Sequence, residues 1–172
     1  MEVTTFDAPW SRSLWIISIL SIFILCGVAS LPIPGFWMVR LLPFAVLLGA
    51  LPFVVRRYEV REGILLIRRL WWDTRLDLSG LRAVRFDPSA PRGSIRTCGN
   101  GGLFSFTGWY WSRRLGTYRA YLTDFRKAVV LDFSDRRVVV SPDDPERFVR
   151  ELMSYLCSHS GHTSLPSRRI RL

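Results

Sequence analysis

Between Leu14 and Leu31, and again between Phe36 and Val55, the chain is almost wholly apolar; after Arg56 it breaks into short runs in which apolar and polar residues alternate. Residues 14–31 carry no charge. At about 1.5 Å rise per residue they cover about 27 Å as a helix, close to a hydrocarbon core of roughly 30 Å. The second stretch holds Arg40 near its start and Pro43 and Pro52 inside, yet residues 41–55 are uncharged, and membrane helices tolerate proline better than soluble ones. The breaker Pro32-Ile33-Pro34-Gly35 separates the two. The pattern predicts a transmembrane helical hairpin with spans 14–31 and 36–55, preceded by a short N-terminal segment, 1–13. Arg40, about one turn from the hairpin tip, is expected to snorkel to the headgroups.

A secretory signal peptide is the main rival for the first span, because Gly27-Val28-Ala29-Ser30 offers small residues for cleavage. The preceding residues include Glu2 and Asp7 against Arg12, so a strongly positive leader is missing. Bulky Phe23, Ile24 and Leu25 before Cys26 argue against a lipoprotein signal. Arg56, Arg57, Arg61, Arg68 and Arg69 crowd behind the second span and Arg12 precedes the first, while the tip offers Arg40. Basic flanks stay cytoplasmic, so both termini are expected there.

The remaining residues suffice for one small domain. Their alternation predicts strands at Tyr58–Arg61, Ile64–Leu70, Thr74–Leu78, Leu81–Phe86, Thr117–Thr123, Ala128–Phe133 and Arg137–Ser141. Glu62-Gly63 forms a tight hairpin between the first two, and a long loop runs from Asp87-Pro88 to about Gly116. Ser141-Pro142-Asp143-Asp144-Pro145 supplies capping oxygens and a proline near the first helical position. Phe148, Val149, Leu152, Met153 and Leu156 then recur at helical spacing, forming a stripe that must bury against the sheet. Residues 158–172 lack a core-forming pattern and read as a disordered tail.

The fold class that follows is two transmembrane helices and a small, mainly-β barrel of about seven antiparallel strands, with a C-terminal amphipathic helix.

The net charge of +10 lies almost wholly behind the spans, and Lys127 is the single lysine among 24 basic residues. A basic face beside an anionic leaflet gains about 1 kcal/mol per well-placed residue, and nucleic acid is the other partner this charge permits. Cys26, Cys98 and Cys157 have no metal or redox spacing and read as reduced thiols. No nucleophile elbow, phosphate-binding Gly-Lys-Ser/Thr or His-Glu-Xaa-Xaa-His occurs. Gly99–Gly102 leads toward aromatics rather than opening a helix, and Cys157, His159 and His162 lack a fourth ligand nearby. An enzyme therefore has no residues to rest on, and neither a cofactor nor a metal is expected.

The run Gly101-Gly102-Leu103-Phe104-Ser105-Phe106-Thr107-Gly108-Trp109-Tyr110-Trp111, the run Arg113-Arg114-Leu115-Gly116-Thr117-Tyr118-Arg119-Ala120-Tyr121, and Val138-Val139-Val140-Ser141-Pro142-Asp143-Asp144-Pro145 resemble the bacterial pleckstrin-homology-like (bacterial PH) domain family. The resemblance covers about residues 58–157 and implies a PH-like domain, 57–157, behind a two-helix anchor in the bacterial inner membrane. Lipid-binding relatives in eukaryotes carry basic residues in a long loop between the first two strands. Here that connection is Glu62-Gly63, too short and too acidic to wrap an inositol phosphate, which argues against specific phosphoinositide recognition.

The segment from Arg92 to Gly116 is the candidate interaction surface, because Trp109, Tyr110, Trp111, Arg113 and Arg114 are residue types of membrane interfaces and protein hot spots. The alternative is that its aromatics cap the barrel. Arg56, Arg57 and Arg61 form a membrane-proximal basic flank. The expected function is a membrane-anchored binding or scaffold module for protein partners or anionic headgroups, with self-association as a subsidiary expectation. An accessory subunit of a transport or envelope-stress complex, or a nucleic-acid-binding protein, is the rival.

Overall fold

The computed structural model describes residues 4–30, 37–61 and 63–160, with side chains described for all of these except 37–40 and 159–160. The proposed hairpin tip, Glu62, His162, most of the tail and the side chains of Arg40 and His159 lie outside that set.

Strand β1 (Thr4–Asp7) precedes helix α1 (Arg12–Ser30), which begins on a Ser11 cap: Ser11 Oγ accepts the Leu14 amide at 3.1 Å. Helix α2 spans Trp37–Ala50 with Pro43 inside it. The segment 36–55 is therefore not one helix. It stops at Ala50, passes through a 3₁₀ turn at Leu51–Phe53 with Pro52 in its first positions, and Val55 already belongs to a strand. Among the described residues α1 is the one helix long and apolar enough to cross a membrane.

The domain is built on two sheets. Strands β2 (Val55–Arg61), β3 (Ile64–Arg69) and β4 (Asp73–Asp77) follow β1 in a four-stranded sheet of order β1-β2-β3-β4. The second sheet contains β5 (Leu81–Phe86), β6 (Ile95–Gly101), β7 (Phe106–Ser112), β8 (Gly116–Leu122), β9 (Val129–Phe133) and β10 (Arg137–Val140). Its order is β5-β9-β10-β8-β7-β6. The described residues thus hold ten strands, three beyond the expected seven. The pairing is not purely antiparallel either: β10 lies parallel to β8, because β9 and β10 form a hairpin that inserts beside β8 from the β5 side.

The six-stranded sheet is covered on both faces, which explains runs such as Ala128–Leu131 that are buried at every position. One face packs on the four-stranded sheet and on helix α3 (Pro145–Ser160) through Tyr58, Ile67, Tyr121, Leu131, Val138 and Phe148. The other face receives Ala90, Leu115, Tyr118, Val130 and Val139, together with Leu14 from the first turn of α1. Helix α3 starts as its sequence predicts: Asp144 Oδ1 accepts the Arg147 amide at 3.0 Å and Pro145 is the first helical residue. Phe148 and Leu152 are fully buried, with Val149 and Leu156 partly so. Met153 is 46% exposed and lies off the stripe, and the helix continues to Ser160 rather than giving way to a tail at Ser158.

Candidate functional site

The expected loop 87–116 is instead two paired strands. Gly99 and Gly108 face each other across β6 and β7, both at positive φ. A Cβ on Gly108 would lie 2.2 Å from the Cys98 carbonyl oxygen, and one on Gly99 would lie 2.4 Å from that of Thr107. The close approach needs glycine on both strands. Strand alternation then separates the candidate surface residues. Tyr110 points into the core, stacks on Tyr118 with centroids 5.9 Å apart, and donates its hydroxyl to the Asn100 carbonyl at 3.1 Å. Trp109 and Trp111 face the other way and remain exposed. Arg113 and Arg114 sit in the β7–β8 turn, where Arg114 donates to Ser89 Oγ at 2.6 Å. Tyr110 therefore leaves the candidate surface, whereas Trp109, Trp111, Arg113 and Arg114 are exposed.

Trp109 belongs to a different arrangement, which crosses both sheets. The Arg119 guanidinium lies over Trp109 (5.6 Å to the centroid) and over Tyr121 (5.6 Å). Arg69 lies over the same Tyr121 ring at 4.9 Å, and over Trp72 at 5.8 Å and Phe53 at 6.0 Å. Phe53 in turn meets Trp72 edge-on at 5.5 Å. The result is a ladder of alternating rings and guanidinium groups from Phe53, just behind α2, to Trp109. Each such contact contributes about 0.5–2 kcal/mol, more where water is excluded.

At the Phe53 end the ladder opens into a cleft of 510 Å³ lined by Arg56, Arg57, Glu59, Arg68, Arg69 and the β3–β4 turn Leu70–Asp73. Glu59 is buried but engaged: Arg61 reaches it at 2.8 Å and Arg68 at 2.9 Å, and Arg68 also bonds Asp73. The hydrogen bonds from Arg68, followed by the charges of Arg68 and Arg61, hold the Glu59 carboxyl below the usual range despite its burial. Among the described residues, Arg57 has only an exposed 4.0 Å approach to Asp7. Of the expected basic flank, Arg56 and Arg57 line the cleft, and Arg61 serves Glu59 from the turn side. Leu70, Trp71 and Trp72 are exposed at the rim. This site was not legible in the sequence, because Arg69 comes from β3 of one sheet and Arg119 and Tyr121 from β8 of the other. The available signal was Leu70-Trp71-Trp72, three large apolar residues at a turn.

A second junction ties the first helix to the β6–β7 hairpin. Ser18 Oγ donates to the Gly102 carbonyl at 3.3 Å and accepts the Phe104 amide at 3.1 Å. Phe104 is held at φ 66°, a strained choice for a side chain of that size. Ser105 Oγ donates to the Phe53 carbonyl at 2.7 Å, so the same hairpin tip grips the end of the second helical segment.

The turn that faces Gly63, where a phosphoinositide loop would stand, is closed by α3: a Cβ on Gly63 would come within 2.5 Å of the Tyr155 hydroxyl.

A search of curated proteins and a search of solved structures each return no match. The family model described as Bacterial PH domain matches residues 56–156, more than half of the 172-residue chain and the same span that carries both sheets from β2 onward and most of α3. With its two sheets and closing helix, this chain belongs to the bacterial PH domain family.

Proposed function

We propose that this chain is a membrane-anchored, non-enzymatic binding or scaffold protein whose helical pair holds the PH domain at the cytoplasmic face of the bacterial inner membrane. The observation that carries the reading is that, among the described residues, both apolar helices meet the domain at the end nearest it. Ser11, Leu14 and Ser18 engage it at the start of α1, and Phe53 does so just behind α2. Beyond Ser18, the side chains Ile19, Leu20, Phe23 and Ile24 are exposed, as are Leu41, Leu42, Phe44 and Leu48 on α2. A contiguous apolar surface of that kind needs a nonaqueous partner. At 14 residues α2 is short for a span, a mismatch that a bilayer accommodates by local thinning or by snorkelling flanks.

The pairing of β1, upstream of α1, with β2, downstream of α2, supports a cytoplasmic position for both flanks of the hairpin, as do Arg12, Arg56 and Arg57. The non-enzymatic reading rests on the cleft chemistry, since Glu59 is committed to Arg61 and Arg68 rather than poised as a base. The ladder and its rim are the surface offered to protein partners or anionic headgroups. Cells expressing the full chain test the reading. We expect retention in the membrane after an alkaline carbonate wash, a fluorescent C-terminal green fluorescent protein fusion and an inactive C-terminal alkaline phosphatase fusion. Release by carbonate, or an active phosphatase, overturns it.

A further inference from the structure

Arg69 is only 9% exposed, yet its Nε has no hydrogen-bond partner, and among the described residues no carboxylate pairs with it. The carboxylates of the cleft are already spent: Glu59 on Arg61 and Arg68, Asp73 on Arg68. Arg56, on the same wall, is likewise without a carboxylate partner among the described residues. Burying a cation costs several kcal/mol unless it is paired and hydrogen-bonded. The rings of Phe53, Trp72 and Tyr121 offset part of that cost, and the Tyr121 hydroxyl, itself buried, is a single neutral acceptor beside the guanidinium rather than a balancing charge. Burial also pushes the Arg69 guanidinium below its usual range, against the opposing pull of the Tyr121 hydroxyl and with like-charged Arg119 adding to the push. With Arg56 and Arg69 on one wall and no carboxylate left to pair with either among the described residues, the cleft suits an anion with several acceptor oxygens, which is what a guanidinium fork recognises best.

We propose that the Arg69 cleft binds a phosphate oxyanion, and that its source is the headgroup of an anionic phospholipid in the leaflet beside the helices. This identification of the source rests on the membrane-anchored reading above. The place in the fold argues for it. The cleft lies at the open end of the β2–β3 hairpin, where Val55 pairs with Arg69, and not at the Gly63 turn covered by Tyr155. Phe53 at the end of the apolar segment forms part of the ladder, and exposed Leu70, Trp71 and Trp72 rim the mouth, a composition suited to the headgroup layer. A single nucleic acid strand would also stack its bases on exposed Trp71 and Trp72, and an oligonucleotide in the titration below tests that occupant.

The full chain in a nonionic detergent is titrated with dioctanoyl phosphatidylglycerol, dioctanoyl phosphatidylcholine, inorganic phosphate and a ten-residue oligothymidine, following tryptophan fluorescence and the melting temperature. Phosphatidylglycerol is expected to bind and to raise the melting temperature, phosphatidylcholine to bind at least tenfold more weakly. Arg56→Gln, an exposed change, and Arg69→Met, which keeps the apolar stem, are each expected to weaken phosphatidylglycerol about tenfold, the loss of one charge-assisted hydrogen bond. Arg113→Gln, in the distant turn, is expected to leave it unchanged. Inorganic phosphate binding as tightly as the lipid supports the oxyanion site and moves its source to solution. Equal affinity for both lipids without phosphate binding, wild-type affinity in Arg56→Gln, or preference for the oligonucleotide overturns the proposal. Because the titration is done in detergent, its failure leaves the fractionation result standing, and a failed fractionation leaves the phosphate arm readable.

Discussion

The Tyr58 hydroxyl donates a 2.6 Å hydrogen bond to the carbonyl of Tyr121 and accepts one from the Ser141 amide at 3.2 Å, joining β2 of one sheet to β8 and the end of β10 in the other. The ring is fully buried, and burial pushes its pKa up to about 12 from 10.0, with the Ser141 hydrogen bonds pulling weakly the other way. A raised folded-state pKa means that the native chain holds this proton more tightly than the unfolded one. The contribution is thus complete below pH 10 and is lost as pH rises toward 12, to a total of about 3 kcal/mol. Burial raises Tyr110 and Tyr118 in the same direction. Denaturant unfolding between pH 8 and 11.5 should show stability falling above pH 10. In Tyr58→Phe the fall should be shallower but still present, and at neutral pH the variant should be about 1–3 kcal/mol less stable, since it orphans the buried Ser141 amide. An identical pH slope in both proteins would sink the assignment.

Gly108→Ala should be the most damaging small substitution in the second sheet. Its φ is 138° and the added methyl would lie 2.8 Å from the Gly99 Cα, where backbone rather than a flexible side chain blocks it. Separation of β6 from β7 should follow, with a cost of about 3 kcal/mol or more. Gly93→Ala, with open space around its Cβ, serves as the control, although its φ of 70° carries strain of its own. A Gly108→Ala melting temperature within a degree or two of wild type would show that the two strands need no such approach.

Ser18→Ala removes both hydrogen bonds that tie α1 to the hairpin tip. The Phe104 amide then loses its acceptor at about 1 kcal/mol, and its hydrogen exchange in detergent should accelerate roughly fivefold. Protection unchanged at Phe104 would mean that the helix and the hairpin are not coupled through this serine.

Where the sequence alternated cleanly, the elements match it closely. Leu81–Phe86 is a strand to the residue, and Ile64–Leu70, Ala128–Phe133 and Arg137–Ser141 differ by one terminal position each. The β6–β7 pair escaped detection for a physical reason. Ile95–Gly101 is a largely exposed edge strand with two glycines and no buried face, so it carries no period-two signal, while β7 places aromatics on both of its faces. Aromatic β-propensity in Phe106–Trp111 was the usable clue. Strand β1 is four residues long and holds its place through pairing with residues fifty or more positions away.

The sequence by itself determined the apolar N-terminal third, the start of α3 at Asp144-Pro145, most strand positions and the absence of room for a phosphate loop at Gly63, because each rests on local spacing or local backbone chemistry. The tertiary structure alone decided that Tyr110 faces the core while Trp109 does not contribute to it, and that α1 is gripped at Ser18. It also decided that Arg69 is buried against Phe53, Trp72 and Tyr121 with its Nε unpartnered. Those outcomes depend on which strands become neighbours, and the charge left unbalanced in the cleft exists only once two sheets have closed over it.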